Sequence, residues 1–106
     1  GGLMPQNELA TLLKKTGIPF AHNHWEKPPR PPYGLYLFDG TENFGADDIV
    51  YAVVEQITLE LYTVDRSEAD MQKIERILEE AEIFWDRDTV YVPDLRLFQT
   101  SYEIEV

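Results

Sequence analysis

Two stretches of strict alternation constrain this chain more than any other feature. In Ile57-Thr58-Leu59-Glu60-Leu61-Tyr62 an aliphatic residue recurs at every second position, the period at which strand side chains return to the same face. Residues 95 to 106 alternate again, with Phe98, Thr100, Tyr102, Ile104 and Val106 on one face and Leu97, Gln99, Ser101, Glu103 and Glu105 on the other. Strands of this kind need a sheet with one covered face and one wet face, the usual habit of antiparallel sheets. The first strand reads from Ile49 to Val64, and its Tyr51-Ala52-Val53-Val54 run is apolar on both faces. That length carries it beyond a core and invites a bulge or break near Glu55.

Helices are expected on either side of this long strand. Asn7 to Thr16 has a capping Asn7, Leu9, Leu12 and Leu13 on one face, Lys14 and Lys15 at the negative end, and Gly17 as a stop. A second helix, capped by Asp65 or Ser67 and reaching about Ala81, places Met71, Ile74, Ile77, Leu78 and Ala81 on one stripe. Ile18 to Trp25 and Tyr33 to Phe38 suit strands, the latter closed by an Asp39-Gly40 turn signal. Between them Pro28, Pro29, Pro31 and Pro32 exclude helix and central strand, leaving a stiff extended loop. Thr41 to Asp48 reads as a protruding polar loop. Ile83 to Trp85 and Thr89 to Val92 read as short strands joined at Asp86-Arg87-Asp88, a hairpin candidate. The expectation is an α+β fold of order αβββαββ, a mainly antiparallel sheet with two helices on one face.

Length and composition agree with one domain over residues 1–106, the first four being disordered or a cloning remnant. A chain of 106 residues buries roughly 60 to 70 % of its unfolded surface on folding, enough for one core. Apolar residues make up 43 %, too many for a disordered tail. Neither a long apolar run nor a signal peptide is visible, so no membrane partner is expected. With no cysteine, disulfides, thiol catalysis and cysteine-bound zinc are excluded.

The formal charge is −11, and it is uneven. Residues 1 to 53 carry four Lys/Arg against six Asp/Glu, whereas 54 to 106 carry five against fourteen. Gripping phosphates takes Lys and Arg, so no specific nucleic-acid binding is expected.

Each residue type suited to chemistry has a simpler reading. His22 and His24 fall on one face of the expected strand, but two ligands do not make a metal site. Asp47-Asp48 with Glu42 lacks the ligand spacing of a calcium loop and reads as a solvated turn. No phosphate loop or nucleophile elbow is present; no catalytic residue, metal or cofactor is assigned. Tyr33, at the end of the proline loop, and Phe44, within a polar loop, are candidate interface anchors together with Asp47 and Asp48. The proline tract would also suit a polyproline-binding domain. Glu75, Glu79, Glu80 and Glu82 form an acidic stripe, simply the wet face of a helix or, more sharply, one segment of a negative wall built from several copies.

Five segments together resemble a known class. They are Leu12-Leu13-Lys14-Lys15-Thr16-Gly17-Ile18-Pro19, Pro31-Pro32-Tyr33 leading into Leu35-Tyr36-Leu37, Asn43-Phe44-Gly45-Ala46-Asp47-Asp48 before Val50-Tyr51, Ile57 to Thr63, and Tyr102-Glu103-Ile104-Glu105-Val106. They look like small prophage-encoded proteins of Gram-positive bacteria, from phages with long non-contractile tails. The likeness runs from about Asn7 to the end and is greatest to the tail-completion, or tail-terminator, proteins that join tail to head. What it implies is a structural virion protein, made in the host cytoplasm, that closes the head-proximal end of the tail as a ring, usually six-fold. Its implied partners are its own copies, the tail-tube protein and the head-closure or connector protein. An acidic lumen from Glu75, Glu79, Glu80 and Glu82 would let DNA pass without sticking. The alternative from another class is a small acidic protein-binding module, or an inhibitor that mimics the charge of DNA.

Overall fold

The fold grows from three local signals: a serine cap, a glycine stop and the two alternating strands. The computed structural model describes residues 6–46 and 49–106, and side chains within 8–40 and 55–106. In chain order the elements are α1 (Gln6–Lys14), β1 (Phe20–His22), β2 (Tyr33–Ala46), β3 (Ile49–Thr63), α2 (Glu68–Glu80), β4 (Trp85–Val92) and β5 (Leu97–Glu105). The strands form one sheet in the order β1-β2-β3-β5-β4. All pairings are antiparallel except β1 with β2, which is parallel. The expected α+β architecture and element order are those observed.

Both helix ends follow from sequence. After α1 the Thr16 hydroxyl donates to the Leu13 carbonyl at 2.7 Å and accepts from the Ile18 amide at 3.1 Å. Gly17 then takes φ of 75°, a conformation that costs glycine little. Helix α2 begins at Ser67, whose hydroxyl accepts from the Asp70 amide at 3.3 Å, relieving one of the helix's unpaired N–H groups. It ends in a Schellman motif: Glu82 is left-handed at φ 58°, the Ile83 amide donates to Leu78 and the Glu82 amide to Glu79.

The core lies between the helices and one face of the sheet. Leu9 and Leu13 from α1 and Met71, Ile74, Ile77 and Leu78 from α2 pack on Ile57, Leu59 and Leu61 of β3 and Tyr102 and Ile104 of β5. Each fully buried aliphatic side chain contributes about 1.5–3 kcal/mol. The opposite face holds a smaller aromatic cluster. Tyr33 and Tyr62, cross-strand partners, stack at 5.1 Å, Leu97 packs with them, and Trp25 and Leu35 flank the group. Trp25 donates its indole N–H to the Gly34 carbonyl at 2.9 Å, which ties the proline loop back to β2. Apolar residues on the wet-side parity of two adjacent strands have found cover of their own.

Four local expectations are corrected. Asp39-Gly40 is not a turn, and the stretch from Thr41 is not a loop as far as Ala46: β2 continues through it. Asp39 is instead an extra residue, because Phe38 pairs with Ile57 and Gly40 with Gln56. That irregularity lies on the strand facing the expected break near Glu55. Asp86-Arg87-Asp88 is likewise not a hairpin; β4 runs unbroken through it. As an edge strand in water, β4 accommodates charged residues that a central strand would exclude. Strand β1 is shorter than expected, since Asn23 turns left-handed at φ 67° directly after His22.

Candidate interaction surfaces

Three surfaces stand out from the core. The first is an arm. The β3–β5 ladder ends where Glu55 and Val106 exchange amide hydrogen bonds at 3.0 Å. Beyond it Thr41–Ala46 and Ile49–Val54 continue to pair, among the described residues, only with each other, from Thr41↔Glu55 to Ala46↔Ile49. Phe44 is on this arm, opposite Ala52. Asp47 and Asp48 lie outside the described residues.

The second surface is the open side of the sheet. Asp86 and Asp88 on β4 and Glu103 and Glu105 on β5 are all exposed, and Asp86 pairs directly with Glu103. Like charges in opposite positions repel, so this surface favours a cationic or multivalent neighbour. Closer to its aromatic end, Gln99 donates to Glu60 at 2.8 Å and to the Tyr62 hydroxyl at 2.9 Å. Burial, with the Glu60 carboxylate nearby, pushes the Tyr62 phenol up to about 12.

The third surface surrounds the C-terminal end of α2 and the start of β4. Phe84 is 94 % exposed there, whereas Val90, Tyr91 and Leu95, about half exposed, lie at and beyond the other end of β4. Glu79, Glu80 and Glu82, which precede Phe84, are exposed. Glu75, from the same acidic stripe, is engaged elsewhere: it accepts from Arg87 and from the buried Tyr102 hydroxyl, each at 2.9 Å. Arg87 reaches it from β4 and also lies 3.8 Å from Glu68. Burial and the Glu75 carboxylate raise the Tyr102 phenol.

The expected anchors part ways. Tyr33 is only 7 % exposed and belongs to the aromatic cluster, a correction to its reading as an exposed contact residue. Phe84, read from the sequence as part of a short strand from Ile83 to Trp85, precedes β4 and faces solvent. His22 stacks on Tyr36 with ring centres 5.1 Å apart, while His24 has left the strand, so the shared strand face expected of them is not formed. Among the described residues no three His, Asp or Glu side chains are grouped to hold a metal ion. None of the helices among the described residues is long and apolar enough to cross a membrane. No known family profile matches the chain, and no curated protein matches its sequence.

Proposed function

We propose that this chain is a structural virion protein that completes the head-proximal end of a long non-contractile phage tail, as one subunit of a ring docked on the head connector. The observation that carries the reading is the arm, in which Thr41–Ala46 and Ile49–Val54 leave the sheet as a pair. A two-stranded ribbon alone is marginally stable in water, so an arm of this length is suited to lying against a neighbour. The sheet also ends in two unlike edges, β1 and β4, and a closed ring requires two different patches per subunit. The resemblance of five segments to tail-completion proteins supplies the biological setting. A phage carrying a deletion of this chain is the test: capsids and tails that accumulate unjoined support the role, and normal yields of joined virions contradict it.

A second reading, a small acidic module that captures a basic partner, draws on Asp86, Asp88, Glu103 and Glu105 on the open sheet face. A stoichiometric complex with a basic host protein, lost when Glu103 and Glu105 become Gln, would favour it over the tail role.

A further inference from the structure

The geometry points to the surface through which copies of this chain join: the β4 edge of one subunit, centred on Phe84, against the proline loop at the β1 edge of the next. This inference rests on the ring reading and specifies its contact.

The two patches are complementary in both chemistry and position. Phe84 stands almost wholly in solvent, an unusual placement for a large aromatic and the kind of residue that dominates binding when it enters a partner's apolar surface. Around it in sequence and in exposure are Glu79, Glu80, Glu82, Asp86 and Asp88. The outer side of β4 has no neighbouring strand among the described residues. All four Lys/Arg of the first 53 residues are exposed, Lys14 and Lys15 at the end of α1 and Lys27 and Arg30 in the loop between β1 and β2. Lys27 and Arg30 bracket Pro28 and Pro29 in a loop that Trp25 fixes to β2. A proline surface is rigid and apolar, so docking an aromatic ring on it costs little ordering entropy.

The two patches belong to opposite sides of the strand order. Strands β1 and β4 are the opposite edges of a five-stranded sheet, and the proline loop joins β1 to β2, so the acidic aromatic edge is free to meet the basic proline loop of another copy. Such a contact is heterologous and repeats until it closes. Opposite charges around an apolar centre set its register and make it sensitive to salt.

Sedimentation of the full chain, alone and with the tail-tube protein of the same phage, tests this. Two charge variants are needed, Asp86→Lys/Asp88→Lys and Lys27→Glu/Arg30→Glu, with Phe84→Ala as a third. All five positions are exposed, so circular dichroism should show the fold of each variant unchanged. Each variant alone is expected to weaken assembly at least ten-fold, and a 1:1 mixture of the two charge variants to restore it, because both of their cross-contacts pair opposite signs. Rings that form equally well in all variants overturn this interface and leave the ring reading standing. Loss without restoration in the mixture overturns the pairing of these two edges. A wild-type chain that forms no ring in solution or on tail tubes overturns both.

Discussion

Tyr102 and Glu75 join strand β5 to helix α2 through a hydrogen bond of 2.9 Å, with Tyr102 fully buried beneath the helix. The same carboxylate oxygen accepts from Arg87, so helix, edge strand and adjacent strand meet at one atom. A hydrogen bond to a charged acceptor contributes about 1.5–3 kcal/mol. Tyr102→Phe keeps the ring and removes that bond, and is expected to lower stability in urea denaturation by about 1.5 kcal/mol. A change indistinguishable from zero would mean that water replaces the hydroxyl without loss.

Glu82 occupies the left-handed position of a Schellman motif, at φ 58°. A side chain there carries a steric cost of roughly 1 kcal/mol that glycine avoids. Glu82→Gly is therefore expected to raise stability by up to about 1 kcal/mol, offset in part by the greater freedom of glycine in the unfolded chain. A lowered melting temperature would contradict this.

Gly34 and Phe20 are register partners across β2 and β1. A Cβ on Gly34 would fall 2.3 Å from a ring carbon of Phe20, which overlaps well inside van der Waals contact. Gly34→Ala is expected to cost about 1–3 kcal/mol, the usual range for overpacking. In a Phe20→Ala background the same substitution should cost much less, so the double-mutant cycle reports coupling. Simple additivity would show that β1 moves aside instead.

Alkaline pH should expose the tyrosines. The Tyr62 phenol is held at about 12 by burial and the Glu60 carboxylate, and Tyr33 and Tyr102 are shifted upward as well, each first by burial. Unfolded tyrosine ionises near pH 10, so the folded state binds more protons above that pH. The stabilisation is whole below about pH 10 and is lost as the pH climbs through about 12. Denaturation midpoints should fall across that window, and less steeply in Tyr62→Phe; parallel curves for the two proteins would contradict the assignment.

Thr41 and Glu55 are cross-strand partners at the base of the arm. Replacing residues 42–54 with Asn-Gly would join them through a two-residue hairpin turn. Because the core of Leu59, Ile74 and Tyr102 lies outside the arm, the shortened chain should keep a cooperative unfolding transition yet fail to join tails to heads. Joining by the armless chain would remove the arm from the account.

How much of this was legible follows the range of the signals. Helix α2 could be read because its cap, stripe and acidic first turn are local to Ser67–Ala81. The covered faces of β3 and β5 could be read because alternation has a fixed period. Asp39-Gly40 misled because a turn signal is overridden when a partner strand continues to pair, here Ile49–Gln56. Asp86-Arg87-Asp88 misled because polarity marks exposure, and an edge strand is exposed without ceasing to be a strand. Tyr33 was hidden by a non-local event, its stacking on Tyr62 from a strand nearly thirty residues away in the chain. One signal pointed there: Tyr62 and Leu97 both fall on the wet-side parity of neighbouring strands.

Electron microscopy of the purified chain mixed with the tail-tube protein of the phage proposed to encode it tests the central claim most directly. The account predicts closed rings of this chain capping one end of each tube. Bare tube ends beside a chain that stays monomeric at every ratio would contradict it.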